Sequence, residues 1–498
     1  MLHSKPTFPD ALYSAAQVRD LDARLIAAGT PGFELMQRAA HAAWRAIRRR
    51  WPEGRELTVL AGHGNNAGDG YLIAMLARRA GWRVTVLAVG GTAVMTGDAE
   101  AAYKDALDEQ VEVLPWHQQR LAGIVVDALL GTGIKGDVRA PYASAIECIN
   151  DSGLPVMSVD IPSGLCADTG RTLGVAVRAD LTVTFIGLKV GLFTADGPDR
   201  VGELVFDDLQ ADSVIVAQTS ASVKRLDTFN LPTLNPRSPT AHKGMFGRVL
   251  VIGGDLGFGG AALLATESTL RCGAGMVTLA TRPEHVTAAL TRFPEVMAAG
   301  IQSANQLMEL IGPATVLVVG PGMGQHPWGR SLLSAAANAR RPQVWDADAL
   351  NQLAAGNVQL PEGCVITPHP GEAARLLGMD TAQVQADRPA AARALAKRFN
   401  AVCVLKGSGS LIANPAGDLA LADHGHPAMA TGGLGDVLSG VIGALMAQKM
   451  PPFEAACLGV WLHAYAGEKC GANGRGMAAA DLIPEIRKLL EEQQPCLR

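Results

Sequence analysis

Short apolar runs that stop at glycine, proline or aspartate recur through this chain, and they constrain its fold more than any other feature. In the second half, 316–324 reads VLVVGPGMG, 365–372 reads VITPHPGE and 401–410 reads AVCVLKGSGS. Each has the look of a strand buried on both faces and closed by residues that turn the chain. In the first half the candidate strands are 57–60, 83–89, 124–126, 156–159 and 181–185. They follow or alternate with helical stripes such as Val18, Leu21, Leu25 and Met36, Ala40, Ala43, Ile47. This alternation predicts βαβ units and largely parallel sheets. Open parallel sheets bind ligands at the carboxyl ends of their strands. The residues that close each run are therefore the candidates for chemistry.

A chain of 498 residues exceeds what one core usually supports, so two domains are expected. Between 211 and 240 the alternation dissolves, and 219–240 (TSASVKRLDTFNLPTLNPRSPT) carries three prolines among Ser, Thr and Asn. This places a first α/β domain at 1–215, a linker and lead-in arm at 216–240, and a second α/β domain within 225–498. A net charge of −4 gives no reason to expect nucleic-acid binding, and Arg45 with Arg48 to Arg50 reads as a solvated helix end. The eight cysteines show no CxxC or zinc-ligand spacing, which suits free thiols of a reducing compartment. No apolar run approaches the ~18 residues of a membrane span, and a cytoplasmic protein is expected.

The stretch 429–443, MATGGLGDVLSGVIG, sets Gly432, Gly433 and Gly435 before Asp436 and an apolar, helix-compatible run. Converging backbone N–H groups and the positive end of a helix make a phosphate site. A carboxylate there repels phosphate, so Asp436 is better suited to take a proton from a hydroxyl about to meet a phosphoryl group. The KGSGS turn, Lys406 to Ser410, can form a second anion-holding nest.

These motifs resemble the ribokinase-like superfamily and, within it, the ADP-dependent NAD(P)H-hydrate dehydratases. The matching pieces are HKGMFGRVLVIGG (242–254), GGAALLATESTLRCGAGMVTLAT (259–281), VGPGMG (319–324), TPHPGE (367–372), KGSGS (406–410) and TGGLGDVLSG (431–440), in the family's order. The resemblance implies ADP as co-substrate at Lys406, Gly407, Ser408, Gly409, Ser410 and Gly435, with Mg2+ accompanying the nucleotide. It implies the hydrated nucleotide at Ala261, Gly322, Gly324, His369 and Asp436. By itself His369 reads as a loop histidine; its motif and strand-end position point to the site.

In the first half, GHGNNAGDG (62–70), VVDALLGTGIKGD (125–137) and VMSVDIPSG (156–164) follow candidate strands. Two carboxylates and several amides at neighbouring strand ends exceed what turns require. Hard oxygen donors such as Asn66, Asp127 and Ser163 suit an alkali or alkaline-earth cation. Residues 10–215 look like the NAD(P)H-hydrate epimerase domain, a Rossmann-like α/β/α fold. That resemblance implies K+ at Asn66, Asp127 and Ser163. It implies substrate at Asn65, Asn66, Ala67, Gly68 and Asp69, at Gly131, Thr132, Gly133, Ile134, Lys135, Gly136 and Asp137, and at Asp160. Asp160 is the candidate acid or base, although ring opening and reclosure could need less protein chemistry. Ala67 stands where the family usually has glycine, which would strain the loop if that residue needs positive φ.

The implied activity is repair of NADH or NADPH carrying an added water: epimerisation of the hydrate, then ADP-dependent dehydration of the S form to NAD(P)H, AMP and phosphate. The expected partners are NAD(P)HX and ADP, with no nucleic acid or membrane, in a homo-oligomer. The rival reading is a vitamin-precursor kinase with a non-catalytic amino-terminal binding module.

Overall fold

The computed structural model describes residues 8–91 and 95–497, and the chain divides into two compact units, Met1–Lys224 and Arg225–Arg498. In the first, seven strands lie in the spatial order Glu112–Pro115, Arg83–Ala88, Glu56–Ala61, Ile124–Ala128, Val156–Val159, Leu181–Phe185, Glu203–Asp207. Every neighbouring pair is parallel. Alternate residues enter opposite cores: Leu57, Val59 and Ala61 on one face, Leu60 on the other; Val84 and Val86 against Leu87; Ile124 and Val126 against Val125. Helices cover both faces, and the result is three layers. The strand order reverses between Glu56–Ala61 and Ile124–Ala128, which opens a crevice at their carboxyl ends.

The sequence reading finds the five inner strands and misses the two edges. Glu112–Pro115 and Glu203–Asp207 are only partly buried and carry charge, so neither shows an apolar run. The domain end expected at 215 falls short of the structural division. Leu12 pairs antiparallel with Val223, and Ala11 with Lys224, which ties part of the expected linker into the first unit.

The second unit carries a sheet ordered Met297–Gly300, Met276–Thr281, Arg248–Ile252, Val316–Val319, Gln343–Trp345, Val365–Ile366, Val402–Leu405, Ser410–Ala413, Leu419–Ala422. The first seven are parallel and the last two antiparallel. The order again reverses, between Arg248–Ile252 and Val316–Val319. Two helices, Gly259–Arg271 and Leu434–Ala447, pack over one face. A side chain at Gly440 would strike Ser268 Oγ and the Ala265 carbonyl, and Thr269 Oγ1 donates to the Gly440 carbonyl at 3.1 Å. Only glycine permits this approach, which fixes where the amino end of Leu434–Ala447 arrives. No helix among the described residues is long and apolar enough to cross a membrane.

Candidate active sites

A cavity of about 570 Å³ opens at the reversal point of the first sheet. Asn65, Asn66, Asp69, Gly131, Thr132, Gly133, Ile134 and Asp160 line it, as the sequence reading expects. Ala67 and Gly68, buried in the helix behind, and Lys135, Gly136 and Asp137 do not; Asp137 is 65% exposed and faces Arg171 at 3.8 Å. The Asn/Gly segment is not an irregular loop, because Asn65–Arg79 is a helix and Asn65 begins it. Ala67 is fully buried in that helix and has no positive φ, so its replacement of glycine costs no left-handed strain.

Asp160 adopts φ 65° at its strand end. Its Oδ1 accepts from Phe185 N at 3.2 Å and pairs with the ammonium of Lys189. Lys189 is fully buried and also donates to Thr184 Oγ1 at 3.0 Å and the Phe185 carbonyl at 3.1 Å. Burial raises Asp69 well above the usual carboxylate range, helped by the charges of Asp160 and Asp22. Burial likewise pushes Asp22 up to about 6, against the pull of Lys189. One ammonium cannot neutralise three carboxylates, and burial together with their repulsion favours the protonated form of Asp69.

Asp127 and Ser163 lie completely buried. Asp127 accepts from Ser158 Oγ at 2.8 Å, Ser163 N at 2.9 Å, Ser163 Oγ at 2.5 Å and Leu129 N at 3.3 Å. Burial raises its pKa against those donors, and among the described residues no basic side chain pairs with it. Both polar atoms of the Asn66 side chain are buried without a partner. An uncompensated buried carboxylate and an orphaned amide oxygen fit a monovalent cation. The Ser163 hydroxyl can instead donate to the Leu130 carbonyl at 3.1 Å, which would free an Asp127 oxygen.

In the second unit, Gly433 at φ 89° caps Leu434–Ala447, and Asp436 sits in its first turn. Lys406, at the end of Val402–Leu405, donates to Asp346 Oδ1 at 2.8 Å and lies 3.9 Å from Glu372. A side chain on Gly435 would come 3.0 Å from Lys406 Nζ, so the turn and the lysine meet at one point. Burial pushes Asp436 up to about 7, reinforced by the charge of Asp346. Glu372 is also pushed up to about 7 by burial, with Lys406 opposing. Burial acts to raise Asp346 as well, but Lys406, Ser439 and Thr367 hold it below its ordinary value. Ala261 and Gly322 adjoin, for a side chain on Gly322 would come 3.2 Å from Ala261 Cβ. Gly324 donates its N–H to Asp348 Oδ2 at 2.8 Å. His369 caps the helix Pro370–Leu377, Nδ1 accepting from Gly371 N at 3.0 Å and Glu372 N at 3.4 Å, which leaves Nε2 out of the cap, 3.5 Å from Glu372 Oε1.

A family profile described as NAD(P)H-hydrate dehydratase matches residues 249–488, and one described as YjeF-related protein N-terminus matches 32–191. The bifunctional NAD(P)H-hydrate repair enzyme of Coxiella burnetii is 43% identical over 484 residues, covering 96% of this chain and 99% of that relative. The chain belongs to the bifunctional NAD(P)H-hydrate repair enzymes. The member of that family from Escherichia coli is 42% identical over 468 residues, covering 93% of this chain and 90% of its own. A ribokinase-like superfamily protein from Enterococcus faecalis superposes with a TM-score of 0.52 at 28% identity, covering 55% of this chain and 97% of that one. The repair-enzyme family thus supplies both halves in the order the sequence predicts.

Several residues at these family sites escape sequence reasoning. Asp22 and Lys189 join Asp160 only through the folded sheet. Asp346 closes the short run Gln343–Trp345, and its strand-end position was the available signal. Arg388 is 1% exposed and directs its guanidinium to the carbonyls of Leu405, Lys406 and Gly409 at 3.3–3.4 Å. It thereby turns the KGSGS carbonyls inward. His463 Nε2 donates to the Leu434 carbonyl at 3.0 Å, and burial holds its pKa down to about 4, so it steadies the glycine turn as a neutral ring.

Proposed function

We propose that this chain repairs hydrated nicotinamide cofactors, its first unit interconverting the R and S hydrates and its second dehydrating the S hydrate with ADP. The observation that carries the reading is Asp436, a half-buried carboxylate poised near pH 7 on an anion-binding turn beside Lys406. Water has a pKa of about 15.7, so hydroxide leaves poorly, whereas phosphate leaves readily once the hydroxyl is phosphorylated. Asp436 would accept the hydroxyl proton as the phosphoryl group arrives. The turn's N–H groups and Lys406 would hold the migrating charge. The nest at Lys406 to Ser410, shaped by Arg388, would hold the nucleotide's phosphates, while Ala261, Gly322, Gly324 and His369 would line the hydrate. Mg2+ would be held chiefly by the nucleotide, since it commonly binds through substrate phosphates and one or two carboxylates; among the described residues no trio of His, Cys, Asp or Glu is grouped to hold a metal.

In the first unit, Asn66, Asp127 and Ser163 would hold K+, which would supply positive charge beneath the cavity floor. Asp160, paired with Lys189 and close to Asp22 and Asp69, would act on the hydrate as acid or base. The test is incubation with both hydrate epimers, with and without ADP, following the absorbance of reduced nicotinamide. Full conversion of the mixture with ADP, and none without it, is the expected result. A stable phosphoester in place of reduced cofactor and phosphate would instead establish the kinase reading.

A further inference from the structure

The wall of the first cavity carries a tyrosine–histidine pair that the reading above leaves unused. His63 follows Glu56–Ala61, and Tyr142 is the first residue of the helix Tyr142–Asp151; both line the cavity with Asp160. His63 Nε2 lies 3.1 Å from the Gly90 carbonyl, which can only accept. The Nε2 atom therefore carries the proton, Nδ1 keeps a lone pair, and the Tyr142 hydroxyl is hydrogen-bonded to that Nδ1. The phenolic proton therefore points into the imidazole, and the phenol oxygen keeps lone pairs for another donor. Burial raises the Tyr142 pKa, which keeps it a phenol. Gly90 makes the arrangement possible: at φ 86° any side chain there would come 2.5 Å from His63 Cε1 and 3.3 Å from Tyr142 Oη.

We propose that Tyr142 and His63 form the proton relay that opens the hydrated ring, Tyr142 touching the substrate hydroxyl and His63 taking the proton behind it. The proposal rests on the epimerase reading of this unit. The hydrate's hydroxyl sits on the carbon bonded to the ring nitrogen. Its proton passes to Tyr142 Oη as the tyrosine's own proton passes to His63 Nδ1, making the imidazole a cation. The C–O bond becomes a carbonyl, the carbon–nitrogen bond breaks, and its electron pair moves onto the nitrogen, conjugated with the carboxamide. Rotation exposes the other face of the carbonyl to that nitrogen. Reclosure restores the C–N bond, and the protons run back from His63 through Tyr142 to oxygen. Nothing is consumed, as an isomerisation requires. Tyr142 is thus a catalytic residue, while His63 acts through it.

The test measures interconversion of purified hydrate epimers by the full chain without ADP, subtracting the uncatalysed rate, in wild type, Tyr142→Phe, His63→Ala and His63→Gln. Removing the relay should lower kcat on the order of 10²-fold with KM little changed. His63→Gln keeps an acceptor and a donor but cannot take a proton, so it should stay slow. Added imidazoles should restore His63→Ala in the order of their basicity. ADP-dependent dehydration of the S hydrate by the same samples, and an unchanged melting temperature, show that each variant is folded. Wild-type kcat in Tyr142→Phe, full activity in His63→Gln, or rescue indifferent to basicity overturns the relay. A wild-type chain that does not interconvert the epimers overturns the epimerase reading itself, and the relay with it.

Discussion

At the residue scale, the carboxylates are distinguished by their neighbours. Asp436 and Asp346 lie close enough to feel one another's charge, yet one is pushed up to about 7 and the other held below its ordinary value, because Lys406 bonds directly to Asp346. Asp436→Asn should abolish ADP-dependent dehydration by on the order of 10²–10⁴ while ADP binding, measured by calorimetry, survives. As a base Asp436 works ionised, so wild-type kcat should rise with pH through about 7. Asp346→Asn removes a charge that raises Asp436 and frees Lys406 to lower it further, so the acidic limb of the profile should move to lower pH. A limb that stays in place would mean that another group governs it. In the first unit, Asp127→Ala removes the only full negative charge among the three oxygen donors proposed for K+. Epimerisation should become slower and indifferent to added potassium; equal wild-type rates in potassium and in a bulky organic cation would dismiss the ion. The aspartates that close strands were legible in the sequence, because strand-end position is written locally. The gathering of Asp22, Asp69, Asp160 and Lys189 was not, since four separate segments contribute one residue each and no spacing links them.

At the element scale, the turn between Val402–Leu405 and Ser410–Ala413 shows the same limit. KGSGS is readable as an anion nest, but its shape depends on Arg388, which the sequence presents as an ordinary basic residue at the start of the helix Arg388–Phe399. Burial lowers the Arg388 pKa to about 10, and it stays charged. A side chain on Gly407, at φ 139°, would come 2.8 Å from its Nη1, so glycine and arginine require one another. Arg388→Met leaves those carbonyls without their donor, at about 1–3 kcal/mol for an unsatisfied buried group. The KM for ADP should rise on the order of tenfold, roughly 1.4 kcal/mol, with kcat at saturating ADP largely kept. A variant with unchanged KM would show that the loop holds its shape alone. The edge strands were missed for a related reason: their burial pattern is set by what lies beside them rather than by their own residues.

At the scale of the whole molecule, two sheets with the same reversal of strand order each carry their own crevice and their own chemistry. We expect a fragment of residues 1–224 to fold and epimerise, and one of 225–498 to dehydrate a single epimer, as judged by circular dichroism and the two assays separately. A fragment cut at 215 should be less stable, because it loses the partner of Leu12; equal melting temperatures for 1–215 and 1–224 would make that pairing incidental. The alternation of strand and helix made the two-unit α/β architecture legible, and the second domain's expected start at 225 coincides with the division; the first domain's end was set short of it, since Val223–Arg225 is a three-residue strand inside a polar stretch. Each unit is one uninterrupted length of chain, and this matters during synthesis. The pairing of Leu12 with Val223 completes the first unit just as the second begins to emerge from the ribosome, so the amino-terminal fold can close without waiting for any later codon. The second has no such early finish: Gly259–Arg271 must wait for Leu434–Ala447, more than a hundred and fifty residues later, and until then the side it turns to that helix has no cover.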